Sequence, residues 1–350
     1  MSKIEAKFKK CKNCGGNLVF SPSLQALYCD SCQSQERIET EPLTKKHDYN
    51  VLDTKKYVTD GKGHIKCQNC GSSVETSGND LAVKCPYCDT PLVVQTDNSS
   101  FSPDFIIPFK FDKQEAGEMF RNGVKKKFFL PNKFKKKPPI DKIESFYFPA
   151  FSFDEDTFTK YSGKLANDRT ERTADGKVVT KTTYKTISGT KQLNHENVFV
   201  ETSSYLTQED LEYILPYGTR QLYKYDDRFV MGYSMEKLSS SLDECKKTAD
   251  LMIDASIRNS ILSGYSYDRV VFLNTSTQRS NIKYAYGALP VYRLTYTYKN
   301  KEYKTLLNGQ TGKVGGGLPK SKIKIALTVL LVLLIVIGVP LLCFLLGGNK

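Results

Sequence analysis

The sequence predicts an α+β protein with two N-terminal four-cysteine zinc ribbons, a mixed α+β body and one C-terminal transmembrane helix. Three observations carry this. Eight cysteines repeat a pattern before residue 90, strand and helix periods mix through residues 104–317, and residues 325–346 run without a charge. The chain has 350 residues, room for two or three domains at roughly 150 residues each. With 39% hydrophobic and 25% charged residues it is neither a disordered nor a fibrous chain. Lys and Arg number 51 against 38 Asp and Glu, and the net charge of +13 fits an anionic partner: nucleic acid, an anionic lipid surface or an acidic protein. Residues 1–12 are Lys-rich without an apolar stretch, which predicts no cleavable signal peptide.

Ten cysteines suggest disulfides until their spacing is read. Cys11-Lys12-Asn13-Cys14-Gly15-Gly16 aligns with Cys67-Gln68-Asn69-Cys70-Gly71-Ser72, an internal duplication displaced by 56 residues. The second halves agree as well: Cys29 and Cys32 lie in YCDSC, Cys85 and Cys88 in KCPYC, and both repeats read C-x2-C-x14-C-x2-C. Two residues between cysteines let backbone amides turn toward both thiolates, and two such knuckles close a tetrahedral site. Glycine after the second cysteine suits the positive backbone angle that the turn needs. Short strands are expected at 17–20, 25–28, 73–75 and 80–84. Four thiolates leave no open coordination position, so the sequence predicts two structural Zn2+ ions, one per repeat, with folding coupled to binding. An iron site, or ligands exchanged between the repeats, remain the alternatives. A redox dithiol needs a βαβ context that is missing. His47 and His64 fall outside the ligand spacing and read as solvated linker residues. Cys245 reads as a small residue on a helix face and Cys343 as a packing or lipid-facing one.

Ribbon 1 is placed at residues 1–40, a polar linker at 41–62, ribbon 2 at 63–95 and the body at 104–317. In the body, residues 105–111 read as a strand, and Asp112 caps a helix through Lys127 whose apolar positions are Ala116, Met119, Phe120 and Val124. Residues 145–153 and 158–165 read as paired strands. Ala174-Asp175-Gly176-Lys177 is a hairpin turn followed by an alternating VVTKTTYKTIS strand. Helices are predicted at 208–215 and 238–262, then strands at 267–274, 288–298 and 301–307, with a turn at 308–312. No P-loop, H-E-x-x-H, G-x-S-x-G or dinucleotide fingerprint appears. His195, in QLNHENV, reads as a satisfied strand or loop residue, and Asp154, Glu155 and Asp156 as a solvated turn. No catalytic residue is predicted, and the protein is read as a non-enzyme.

One segment is strongly basic. Arg121, Lys125, Lys126, Lys127, Lys133, Lys135, Lys136, Lys137 and Lys142 stand against Asp141 alone, interleaved with Phe128, Phe129 and Phe134. The pattern suits phosphates of anionic lipid or of nucleic acid, or a solvated helix end over a phenylalanine core. Residues 325–346 (IALTVLLVLLIVIGVPLLCFLL) would make a helix of about 33 Å, matching a ~30 Å hydrocarbon core. Lys320, Lys322 and Lys324 precede the run and Lys350 alone follows it. The positive-inside rule then predicts a tail-anchored, single-pass cell-membrane protein with its body in the cytoplasm.

The paired ribbons, the segments PDFIIPFKFDKQEA (103–116), FYFPAFSFD (146–154) and IKYAYGALPVYRL, and the hairpin YKTLLNGQTGKVGGGLPK before an apolar run together resemble a family. It is that of bacterial membrane-anchored TFIIB-type, or primosomal-helicase-like, zinc-ribbon proteins. Only the eight cysteines carry over as functional positions. Ala150-Phe151 stands where members often have Trp, and the helicase label has no nucleotide motif behind it here. Such proteins are often encoded beside flotillin-like (SPFH) proteins, so the resemblance implies a membrane scaffold or envelope-stress role with an SPFH partner. The expected function is a non-enzymatic zinc-ribbon adaptor or scaffold at the bacterial membrane. The alternative is a membrane-tethered nucleic-acid-binding protein linked to replication or transcription.

Overall fold

The computed structural model describes residues 6–7, 9–49, 63–76, 80–94, 102–173 and 175–338. The first repeat carries β1 (Ala6–Lys7), β2 (Leu18–Ser21), β3 (Ala26–Cys29) and β4 (Gln35–Arg37), followed by β5 (His47–Asp48). The second carries β6 (Gly63–Lys66), β7 (Ser73–Thr76), β8 (Asp80–Lys84) and β9 (Pro91–Val94). The body opens with β10 (Phe105–Ile106), α1 (Lys113–Lys126), α2 (Asn132–Lys136), β11 (Lys142–Arg172), β12 (Val178–Glu201) and α3 (Gln208–Ile214). It continues with β13 (Tyr223–Lys224), β14 (Ser234–Glu236), α4 (Leu242–Leu262), β15 (Arg269–Tyr298), β16 (Lys301–Asn308), β17 (Val314–Gly316) and α5 (Lys322–Leu333).

Three long strands organise the body. β11 lies between β15, antiparallel over Lys142 to Ala166, and β12, antiparallel over Ala150 to Arg172. At ~3.3 Å per residue, the 31 residues of β11 reach about 100 Å. The sequence predicts two strands here with a solvated turn at Asp154–Asp156; the chain instead forms one strand with a bulge. Its register slips between Phe153 and Glu155 against β12, and between Asp154 and Asp156 against β15. The extra residue turns Glu155 inward, where it is 1% exposed. The predicted strands at 267–274 and 288–298 likewise merge into β15, with Asn281 taking the positive φ at the slip. Conversely, residues 105–111 form a regular ladder only at Phe105 and Ile106; Pro108 has no amide to donate, and beyond it a main-chain bond runs from Lys110 N–H to Gly309 O at 3.0 Å.

Beyond Asp154 the three strands leave the core as an arm. α4 covers one face of it: Ile253, Ile257 and Ile261, four residues apart on one helix stripe, pack on Leu165 and Ile187. The helix starts at Leu242, not 238, because Ser241 and Glu244 close a capping box. At the tip, Gly176 has φ +75° and its N–H donates to Thr173 O at 2.9 Å, forming the predicted Asp-Gly turn; Ala174 lies outside the described residues. The opposite face is bare, with Phe158 and Phe272 exposed among Ser, Thr, Asn, Gln and Lys.

The core is aromatic. Phe109 meets Tyr147, Tyr292 and Tyr233 at centroid distances of 4.9, 4.8 and 4.6 Å. α1 begins at the predicted cap, where Asp112 and Glu115 bond reciprocally. It buries Ala116, Phe120 and Val124, while Met119 faces outward.

The C-terminal prediction requires correction. Regular α-helix ends at Leu333, about 18 Å at 1.5 Å per residue, and the hydrogen bonding changes to a π-turn over Leu334–Gly338. Residues 339–350, including Pro340 and Cys343, lie outside the described residues. No helix among the described residues is long and apolar enough to cross a membrane. The transmembrane element of the fold class and the single-pass location with the body facing the cytoplasm are therefore overturned; the predicted boundaries 325–346 run beyond the described residues. An uncharged run supplies apolar content; in its described part the regular helix spans 12 residues, short of the ~20 that a span needs.

Candidate metal centres

The two repeats fold alike, position by position. The N–H groups of Gly15 and Gly71 donate to the carbonyls of Cys11 and Cys67 at 2.9 and 2.8 Å, with φ of +72° and +78°. In the second knuckles Gln33 and Asp89 donate to Cys29 and Cys85 at 2.8 and 2.9 Å, with φ of +61° and +53°. Each pair is again displaced by 56 residues. These turns aim the sulfurs inward. Cys11, Cys14, Cys29 and Cys32 form one group, and Cys67, Cys70, Cys85 and Cys88 the other, all ligand atoms within 4.8 Å of one another.

Cys11 to Cys32 and Cys14 to Cys29 are 3.5 Å apart between sulfurs, and Cys67 to Cys88 and Cys70 to Cys85 are 3.7 Å. Disulfide sulfurs would be ~2.05 Å apart, whereas thiolates ~2.3 Å from a tetrahedral metal are about 3.8 Å apart. All eight cysteines are free. Each cluster of four can hold a metal ion, and each draws its ligands from a single repeat, so exchange of ligands between repeats is excluded.

Hydroxyls support the sulfurs. Ser34 Oγ lies 3.0 Å from Cys11 Sγ and 3.1 Å from Cys32 Sγ; Thr90 Oγ1 lies 3.1 Å from Cys88 Sγ. The Ser34 hydroxyl brings the Cys11 thiol down to about 6, and Thr90 does the same for Cys88. Both therefore favour thiolate, the form that binds metal. These two residues were legible in the repeat, each standing two positions after its fourth cysteine, but cysteine spacing alone does not single them out.

The ribbons are built into the body. β8 pairs with β14 through Met235↔Ala82 and Glu236↔Asp80, while β9 pairs with β8 and β1, so ribbon 2 supplies strands to the main sheet. The rest of ribbon 1 docks through fewer contacts: Phe20 meets Phe229 at 5.1 Å, and its N–H donates to Met231 O at 2.9 Å. Asn17 Nδ2 donates to Thr90 Oγ1 at 3.0 Å and Lys10 Nζ to Asn69 Oδ1 at 2.6 Å, joining the two ribbons.

Between the ribbons, residues 41–49 form a strap on the body. Lys46 Nζ donates to Ser152 Oγ, Asp154 Oδ1 and Asn197 Oδ1 at 2.9, 2.6 and 2.9 Å. His47, read as solvated, is exposed but places Nε2 2.8 Å from Asp104 Oδ1. Residues 50–62 lie outside the described residues, and His64 lies in β6.

Where the sequence places a solvated turn, the structure places a charge network. Glu155 bonds Arg279 and, at 2.8 Å, Lys246; Arg279 also reaches Asp254 at 2.6 Å. His195 is buried beside it, with Nε2 3.2 Å from Thr157 Oγ1. Burial pushes its imidazole below the usual value, Glu155 opposing and Arg279 adding to the shift. A depressed folded-state value means that the unfolded chain takes up the proton first. The stability this contributes is present above pH 6.5 and is lost as pH falls through the folded-state value. His195→Gln should therefore lose less stability than wild type between pH 7.5 and 5 in urea unfolding; equal losses would show that His195 does not titrate on unfolding.

The basic segment divides. Phe134 is buried in the core, whereas Phe128 and Phe129 are 63% and 45% exposed beside the lysines of α1 and α2.

Fold and site together define an α+β protein with two closed tetracysteine clusters integrated into one body. No family model matches the chain, and no solved structure matches it. It is similar to an uncharacterized protein, YdjG, of Bacillus subtilis (strain 168), at 28% identity over 319 residues, 91% of each chain.

Proposed function

We propose that the protein is a non-enzymatic adaptor whose two clusters hold structural zinc and whose body presents the arm to a protein partner. The supporting observation is the way the ribbons are used. Four thiolates close each site, and the ribbon strands continue the body's sheet, so metal would stabilise a scaffold and not a reaction. Zinc is favoured over iron because the sites are closed and need no redox change; colourless metal-loaded protein agrees with zinc, and visible thiolate-to-iron absorption rejects it. The arm suits partner capture because, among the described residues, β12 pairs on one side only, leaving a row of main-chain groups along its other edge.

The resemblance to TFIIB-type zinc-ribbon proteins makes a flotillin-like SPFH protein the first partner to test. Co-purification should be seen with the full chain and lost when residues 167–183 are replaced by a short turn, while metal content stays unchanged. Retained capture after that shortening would reject the arm as the contact. The competing nucleic-acid reading is tested by salt: binding to DNA or RNA should fall linearly in log salt, and no binding at low salt removes it.

A further inference from the structure

We propose that a groove between the α1–α2 connection and the base of α5 binds the anionic headgroup of a phospholipid. This goes beyond the adaptor reading and needs no spanning helix. The fold joins basic stretches that are far apart in the chain. Ser321 N–H donates to Phe129 O at 2.8 Å, and Lys324 Nζ donates to Phe128 O at 3.0 Å while lying 5.3 Å from the Phe128 ring centre. The result is a groove of about 750 Å³ whose rim carries Lys127, Lys313 and Lys320 and whose walls include Phe128, Phe129 and Val314. Among the described residues, Lys127 and Lys320 form no ion pair. Lys313 is spent on Leu215 O, and Glu212 is the acidic residue of the lining.

Ammonium groups beside exposed phenyl rings fit a ligand that is anionic at one end and apolar at the other. The apolar side continues along α5, where Ile323 and Leu327 are 74% and 59% exposed. Nucleic acid would use the lysines and stack on Phe128, but it has no counterpart for this aliphatic strip. Acyl chains do. Lysines near an anionic headgroup add their attractions, so those at this rim act together.

The chain has no Trp, so Phe128→Trp in the full-length protein gives a single reporter. Dihexanoyl phosphatidylglycerol below its micelle concentration should produce a saturable blue shift, with dihexanoyl phosphatidylcholine at least tenfold weaker. Adding Lys127→Glu and Lys320→Glu should weaken the response tenfold at unchanged metal content, and Phe129→Ser should weaken it with all lysines kept. Saturation transfer to the acyl protons repeats the comparison on the unsubstituted protein. Equal responses to the two lipids, or no effect of charge reversal, would overturn the proposal. Full displacement by equimolar inorganic phosphate would reduce the groove to a free-phosphate site, and a response to a single-stranded oligonucleotide with phosphatidylglycerol silent would reassign it to nucleic acid.

Discussion

Cys85→Ser is expected to lower the metal content from two ions per chain to one and to loosen the body sheet as well as the ribbon. Structural zinc supplies about 10–16 kcal/mol of folding free energy in small zinc domains, comparable with the ~5–15 kcal/mol of a whole domain, so a ribbon deprived of its ion cannot remain folded. Because β8 is paired with β14, release of ribbon 2 uncovers a strand of the body. Hydrogen exchange should accelerate in β8, β9 and β14, with α4 unchanged. Cys29→Ser should also cost one ion, but its effect should appear in β2, β3, β4 and residues 229–231, where ribbon 1 docks through ring packing and the Phe20 N–H to Met231 O bond. Loss of both ions from one substitution would contradict two independent clusters. Normal exchange at β14 in Cys85→Ser would show that the sheet does not depend on ribbon 2.

Glu155→Leu should be the most damaging change outside the ribbons, destabilising by about 3–5 kcal/mol in urea unfolding. The Glu155 side chain is 0% exposed and faces Lys246, whose own side chain is 5% exposed. Removing the carboxylate strands an ammonium under α4 with Asp250 alone, and leaves Arg279 to the outer carboxylates. Asp254→Asn is the control. Asp254 is 54% exposed, and the loss of a pair of that kind should cost less than about 1 kcal/mol. A Glu155→Leu protein within 1 kcal/mol of wild type would mean that the network contributes little to holding α4 on the arm.

The two four-cysteine clusters were legible because a knuckle is local chemistry: two residues between cysteines, a glycine or polar residue in the left-handed turn, and a second copy 56 residues on. The caps of α1 and the turn at Gly176 were legible for the same reason, each resolved within about four residues of chain. Residues 154–156 mark the limit. Three consecutive carboxylates are indistinguishable from a surface turn until Lys246 and Arg279, about 90 and 120 residues further on, are brought to Glu155. The run at 325–346 is a different case: apolar composition gives the tendency to leave water, and among the described residues the regular helix ends at Leu333.

By itself, then, the sequence determined the two tetracysteine sites, the mixture of strand and helix, the turns and the distribution of charge, all properties set by neighbours in the chain. Only the tertiary structure decided that ribbon 2 extends the body's sheet, that residues 41–49 strap across it, that three strands leave the core as an arm, and that Lys127 and Lys320 share one groove. These depend on strand register and on contacts between segments far apart in the chain. Periodicity says which face of a strand is buried, but the partner that buries it is chosen by the packing of the whole chain.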